Sequence, residues 1–368
     1  MTPPGDMKKV FVAATGQDQG KTTVSLGLMA AFRDLLGPVG FIKPVGQRYV
    51  EIQGVRVDED VALMRAIFPA EGDLADMSPV TVGRSFTRDY IRDPKPDVLM
   101  ERIRRSFDRV SAGKRVMVVE GTGHAGVGSC FDTSNADVAK LLNAKAVLIT
   151  AGGIGRPIDE VMLNRSLFRE RGVELLGVIL NKVLPEKMEE IREIVGLGLG
   201  RLGTRLLGCI PREPALERPS MRQILEEIGG RLLHGEAWLD NNVDGVIVGA
   251  MTAHHALGYI TPQCLLITPG DRDDLILAAL STSALGADAD RSVSGILLTG
   301  GVQPHRNIVG LLERTRIPVI LHEEDSYSVA AAVNGMKVKI QPTDSEKIAA
   351  VPRLVRQYVD VPGILESL

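Results

Sequence analysis

Ala14-Thr15-Gly16-Gln17-Asp18-Gln19-Gly20-Lys21-Thr22-Thr23 decides the fold of this chain, because it leaves the apolar run Val10-Phe11-Val12-Ala13 and enters helical spacing from Val24 to Phe32. Strand, glycine turn and helix in that order make a phosphate-binding loop. Backbone N–H groups at the helix N-terminus surround the phosphates, Lys21 reaches the β/γ oxygens, and the Thr22 hydroxyl sits on Mg²⁺. The expected nucleotide contacts are therefore Gly16, Gln17, Asp18, Gln19, Gly20, Lys21, Thr22 and Thr23. In the pattern G-x-x-x-x-G-K-[ST] the first glycine falls on Thr15, and glycine comes one place later at Gly16.

Outward from the loop, 368 residues of which 44% are apolar are enough for two domains with sizeable cores. A net charge of -3, with Lys and Arg scattered rather than striped, gives no electrostatic footprint for nucleic acid. Aromatic residues are only 4% of the chain, which also argues against base-stacking platforms. Arg102, Arg104, Arg105 and Arg109 alternate with Glu101 and Asp108 and read as a solvated helix face. No run is long enough to span a bilayer and Met1-Thr2-Pro3-Pro4-Gly5-Asp6 is not a signal sequence, so a cytoplasmic protein without membrane contact is expected. Cys130, Cys209 and Cys264 lie far apart with no C-x-x-C spacing and read as free thiols.

The first half alternates near-continuous apolar runs with helical stretches. The runs are 39–43, 116–120, 146–150, 176–180 and 206–210, and two amphipathic stretches between them are 96–111 and 157–171. Such runs suit strands buried on both faces, which predicts an α/β, doubly wound, mostly parallel sheet. Pro211, Pro214 and Pro219 then rule out a continuous helix and mark a linker. Beyond it, 245–248, 264–268, 295–299 and 318–321 predict a second, smaller α/β domain with no further GK[ST].

A phosphate loop needs a carboxylate on Mg²⁺, and Glu120 closes the strand 116–119 at the edge where a doubly wound sheet places its phosphate loop. Lys43 ends the preceding strand and presents a cation to a γ-phosphate or a small anionic substrate. Asp60, in the acidic opening of a helix at Asp58-Glu59-Asp60, is a second candidate for the metal, although acids are favoured there by the helix dipole alone. Asn181 follows an apolar strand and suits either a nucleobase edge or a turn. His124, His254 and His255 have no evident partners and read as non-catalytic.

Taken together, T-G-Q-D-Q-G-K-T at 15–22, K-P-V at 43–45, D-V-A-L at 60–63, E-G-T-G-H at 120–124, N-K-V at 181–183 and G-C-I-P at 208–211 resemble the dethiobiotin synthetase family. They are similar also to the N-terminal domain of long bacterial phosphate acetyltransferases. The resemblance implies ATP and Mg²⁺ as ligands, with Thr22, Asp60 and Glu120 on the metal. Lys21 and Lys43 become the catalytic pair, Lys43 near the γ-phosphate, while Asn181 contacts adenine and Pro211 joins the nucleotide contacts. It also implies a homodimer. Gly46-Gln47-Arg48-Tyr49 after K-P-V, and E-G-T-G-H where the synthetase has E-G-A-G-G, are of the phosphate acetyltransferase type. Partitioning-type ATPases carry a lysine five places before the loop lysine, where this chain has Gly16.

Pro269-Gly270-Asp271-Arg272-Asp273-Asp274, Leu298-Thr299-Gly300-Gly301 and Glu324-Asp325-Ser326-Tyr327 resemble the DRTGG domain, a regulatory module. Asp271 there is either an N-cap or part of an anion-binding helix start. The expected division is a P-loop domain over 1–212, a linker over 213–222, a DRTGG-type domain over 223–350 and a C-terminal tail over 351–368. That length leaves no room for an acetyltransferase domain, so acetyl phosphate synthesis is not expected. Two roles stay open: an ATP hydrolase or ligase acting on a carboxylate or carbamate held at Lys43, and a sensor that binds nucleotide without turnover. An ATPase that delivers a cofactor ranks behind both.

Overall fold

The computed structural model describes residues 7–69, 72–285 and 293–368, so residues 1–6, read above as no signal sequence, lie outside the described residues. Two compact units emerge, one formed by 1–213 together with 340–368 and the other by 214–339.

In the first unit β1 (Lys8–Ala14), β2 (Val39–Ile42), β3 (Val116–Glu120), β4 (Lys145–Ala151), β5 (Leu175–Val183) and β6 (Leu206–Pro211) form one sheet. Its order is β6-β5-β4-β1-β3-β2 and every neighbouring pair is parallel. β3 is buried along its whole length, as a strand covered on both faces must be. The chain runs from β1 outward to β2, returns to β3, and crosses back over β1 to β4. That reversal opens a crevice at the C-terminal ends of the central strands, the place where α/β sheets take ligands. α1 (Lys21–Leu36) leaves β1 there, and α2 (Glu59–Ile67) follows a small antiparallel ribbon, Tyr49–Ile52 with Val55–Asp58. α3 (Gly155–Glu170) follows β4.

Residues 340–368 correct the sequence-based division. Rather than finishing the second domain and trailing away as a tail, they pack on the first unit as α4 (Ser345–Tyr358) and α5 (Val361–Ser367). A Cβ on Gly27 of α1 would lie 2.2 Å from Val355 Cγ2, so the close approach of these helices requires glycine. Val359 bridges Gly208 of β6, and the Asp360 N–H donates to the Leu207 carbonyl at 2.8 Å. Lys8 and Lys145 donate from the sheet's opposite end to the carbonyls of Leu365 and Ser367, at 2.8 and 2.7 Å. Val351, Val355, Val361 and Ile364 are buried, which makes α4 and α5 part of the core rather than an appendage.

The second unit holds β7 (Arg231–His234), β8 (Gly245–Val248), β9 (Cys264–Pro269), β10 (Gly295–Thr299) and β11 (Val319–Leu321) in the order β7-β11-β10-β9-β8. Only β7 is antiparallel to its neighbour. Strand periodicity divides the core in two: Leu266, Ile296 and Leu298 face helices 273–285 and 306–312, whereas Leu265, Ile267 and Leu297 face 221–228 and 326–335. The expected linker is ordered. Pro214–Glu217 makes one helical turn, and Ser220 opens Met221–Ile228 with a capping box completed by Gln223. Among the described residues no helix is long and apolar enough to cross a membrane.

Candidate nucleotide and metal site

The loop after β1 is held from three sides. Gly20, at the N-cap of α1, has φ 89°, and a Cβ there would sit 2.1 Å from Asn181 Nδ2, so glycine is required twice over. Asn181 donates from that same Nδ2 to the Gln19 carbonyl at 2.9 Å. Thr15 explains the displaced first glycine: its hydroxyl lies 3.0 Å from Thr150 Oγ1 and donates to Glu160 Oε2 at 2.9 Å, tying the loop's start to β4 and α3. Asp18 adopts a left-handed φ of 58° in the turn, a conformation Asp tolerates. Gln17 and Asp18 are exposed and Gly16, Gln19, Gly20, Lys21, Thr22 and Thr23 half-buried, while Lys21 Nζ reaches back to the Gly16 carbonyl at 3.5 Å.

Beneath the loop lies a buried ionic cluster. Lys43, directly after β2, places Nζ against Asp60 Oδ2, 3.1 Å from Asp58 Oδ1 and 3.5 Å from Glu120 Oε1. Asp58 caps α2 by accepting from the Asp60 N–H at 3.0 Å, which brings both aspartates to one point. Thr22 donates to Glu120 Oε1 at 3.1 Å and joins the loop to the cluster. All four charged residues are buried, Glu120 completely. Burial opposes the Lys43 ammonium, but Asp60, Glu120 and Asp58 outweigh it and hold its pKa well above the ordinary lysine range. Burial pushes the Glu120 carboxyl up to about 7, with Asp60 adding to the rise and Lys43 and Lys21 opposing it. Asp58 is raised mainly by burial, against the pull of Lys43. Lys21 is lowered chiefly by burial, with Glu120 attracting and Lys43 repelling its charge.

Lys21, Thr22, Lys43, Asp60 and Glu120, picked out from sequence, thus meet at one crevice. Asn181 and Pro211 line the same strand-end edge, but the Asn181 amide braces the loop, and Pro211 ends β6 paired with Val183. Asp58, which the sequence offered only as part of a helix start, is a full member of the cluster. Asn135 was missed as well: its Oδ1 accepts from the Thr122 N–H, and its Nδ2 donates to the carbonyls of Thr122 and His124, fixing the loop after Glu120. Nothing near Asn135 in sequence signals this, because its partners lie before it across a loop and a short 3₁₀ turn. His124 is exposed and accepts from the Gly126 N–H, and His255 Nδ1 lies 3.1 Å from the Thr252 hydroxyl. Asp271 precedes the helix 273–285 by two residues, so the N-cap place belongs to Arg272, whose guanidinium binds the carbonyls of Gly249 and Met251.

The donors fit Mg²⁺. Glu120 Oε2 is buried and has no hydrogen-bond partner among the described residues, and beside the Lys43 ammonium the neighbouring groups able to ligate a cation, Thr22 Oγ1 and the Asp58 and Asp60 carboxylates, present oxygen. Mg²⁺ is held by one or two carboxylates with substrate phosphates and water, not by an all-protein cage. Among the described residues no group of three or more His, Cys, Asp or Glu is arranged as a metal cage.

A parallel α/β sheet with a strand, a Gly-Lys-Thr turn and a helix at its crevice defines a P-loop protein. The chain belongs to a family of AAA domains, whose model matches residues 8–220, and a DRTGG domain matches residues 223–336. It is 32% identical to phosphate acetyltransferase of Pseudomonas putida over 96% of this chain and 51% of that protein. With the Nitratidesulfovibrio vulgaris phosphate acetyltransferase it shares 27% identity over 95% of this chain and 50% of the relative. The chain spans about half the length of the curated relatives it matches. Among solved structures, MinD of Aquifex aeolicus covers 57% of this chain and 84% of its own at 15% identity and a TM-score of 0.34. The CBS and DRTGG regulatory region of Clostridium perfringens pyrophosphatase, complexed with its activator diadenosine tetraphosphate, covers 38% of this chain and 50% of its own. Its identity is 20% and its TM-score 0.28.

Proposed function

We propose that this chain is an ATP·Mg²⁺-binding regulatory protein, in which the phosphate loop takes the nucleotide and the DRTGG unit serves as the responding module. Thr22 and Glu120 would hold the metal with Asp60 beside them, and the bound ion would neutralise charge on the β/γ oxygens. Lys21 would contact those oxygens directly, while Asn181 and Thr15 keep the loop in its curved form. The observation that carries the regulatory reading over a ligase is the enclosure of Lys43 by Asp58, Asp60 and Glu120. A second, anionic substrate at Lys43 would have to displace internal carboxylates that already neutralise it.

Calorimetric titration with ATP and Mg²⁺, paired with an assay of phosphate release, tests this reading. Binding is expected, with release no faster than that of Lys21→Ala. Turnover well above that control would restore the hydrolase or ligase reading, and absence of binding would remove both. A homodimer rests on the resemblance alone, and a solution mass near 39.7 kDa, one chain, would count against it. A cytoplasmic location rests on composition.

A further inference from the structure

A sheet edge is a row of backbone N–H and C=O groups with no partner strand, and folded proteins blunt it with charge, a bulge or a covering segment. Three of the four edges of the two main sheets carry such a device. β6 is bridged at Gly208 by Val359, and Leu207 accepts from the Asp360 N–H. At the end of β2 the Lys43 N–H donates to the Met77 carbonyl at 2.9 Å, and the Pro44 carbonyl accepts from the Val80 N–H at 3.1 Å. β7 places Arg231 and His234 on its edge and shifts register between Leu232 and His234. β8 is the exception. Residues 218–220 cover its approach: Ser220 bridges Asn242, the Val243 N–H donates to the Pro219 carbonyl at 2.8 Å, and Arg218 pairs with Asp244 at 2.8 Å. Past Asp244 the strand Gly245–Val248 keeps an unbroken register with β9 and has no other strand neighbour among the described residues. From Gly245 to Thr252 the chain holds no charged residue and no proline. Val248 is exposed, as are Leu257 and Tyr259 on the connection from β8 to β9.

We propose that β8 is a docking edge for a second copy of this chain, paired antiparallel to the other β8 across a two-fold axis, so that the two second units share one continuous sheet. With the axis between Val246 and Ile247, each Val246 lies opposite an Ile247 and each Gly245 opposite a Val248. Pairs of β-branched residues stabilise antiparallel strands. Each Asp244 then lies opposite a Gly249, so the pairing sets no like charges against each other. A strand of different sequence finds no charge here to select it, whereas a copy meets its own apolar complement. Leu257 and Tyr259 add apolar surface to what so short a strand would bury alone. Such a contact uses the open edge of both copies and closes at two. The surface lies in the second unit and does not depend on the nucleotide-binding reading.

Sedimentation and light scattering of the full chain, without nucleotide, test the pairing. The expected mass is twice the 39.7 kDa of one chain. Amides of 245–249 should exchange with deuterium more slowly in concentrated than in dilute solution. Val248→Lys puts a charge at an exposed position of the edge and enters the pair twice, so the dimer dissociation constant should rise about tenfold or more. Val248→Thr, neutral and β-branched, should stay within about threefold of wild type. A wild-type chain that is monomeric at high micromolar concentration would overturn the proposal, and that result needs no variant to fold. A dimer equally stable in Val248→Lys uses another surface and would overturn it too, as would a mass that keeps growing past two chains. Protection of 245–249 that is the same at every concentration would mean that the chain covers this edge itself, which also sinks the pairing.

Discussion

Both units are built on mostly parallel sheets with loops at the C-terminal strand ends, yet they fill those ends differently. In the first unit the buried groups there include four charged side chains, Lys43, Asp58, Asp60 and Glu120, beside uncharged ones such as Thr150 and Asn181. In the second they are hydroxyls, Thr268 and Thr299, and Thr299 Oγ1 lies 2.7 Å from Ser326 Oγ. Charge in the second unit stays near the surface and is spent locally, as when Arg272 binds Asp274 and two backbone carbonyls. Burying four charges is costly, and such groups persist where they meet a charged ligand or one another. One architecture thus carries two kinds of edge, one arranged around charge and one around backbone geometry.

The sharpest way to break this contrast is at the loop lysine. Lys21→Ala should weaken ATP binding by about a hundredfold through loss of charge-assisted hydrogen bonds, read by calorimetric titration. Arg272→Ala, at the other edge, should leave that affinity within about twofold in the same titration; equal losses in both variants would erase the distinction.

Next in size is the support beneath the charged edge. Val355→Asp puts an unpaired carboxylate against α1 at Gly27 and should cost about 3 kcal/mol or more in chemical denaturation. If residues 340–368 were a loose tail, this substitution would be silent.

A third prediction uses pH. Glu120 titrates near 4.5 when unfolded and about 7 when folded, so the folded state holds its proton more tightly. Its contribution is therefore fully present below about 4.5 and lost as pH rises through about 7. Asp58 acts in the same sense, and Lys43, raised above the usual lysine range, contributes evenly across this window. Melting temperatures of the nucleotide-free protein should fall across it, and Glu120→Gln should fall less steeply; parallel slopes would mean the carboxyl is not raised. The smallest effect belongs to Thr299→Val, about 1 kcal/mol for one lost hydrogen bond and no change in ATP affinity.

Much of this was legible in the chain. The runs at 116–120, 245–248 and 295–299 became strands with those same limits, because continuous apolar stretches between turn residues have few other outcomes in an α/β protein. Lys21, Thr22, Lys43, Asp60 and Glu120 stood out in the sequence because each sits at or just past a strand or helix boundary, where local pattern and chemistry coincide, and the fold brings them to one crevice. Asp58 was hidden by its own capping role, since an acid ahead of a helix already has a local explanation. β7 was missed because Arg231-Leu232-Leu233-His234 is short and half polar, as an edge strand permits. The return of α4 and α5 to the first unit was invisible for another reason. Amphipathic spacing announces a buried face but not which sheet covers it.

That return also governs the order in which the protein is completed. The second unit is one continuous stretch, 214–339, whereas the first needs both 1–213 and 340–368. During synthesis the DRTGG unit can therefore finish while the nucleotide unit still waits for its last helices. Contacts such as Lys8 to Leu365 span nearly the whole chain and close last. A ribosome-stalled chain ending near residue 340 should carry a mature second unit beside a first unit that still lacks the helices of residues 340–368.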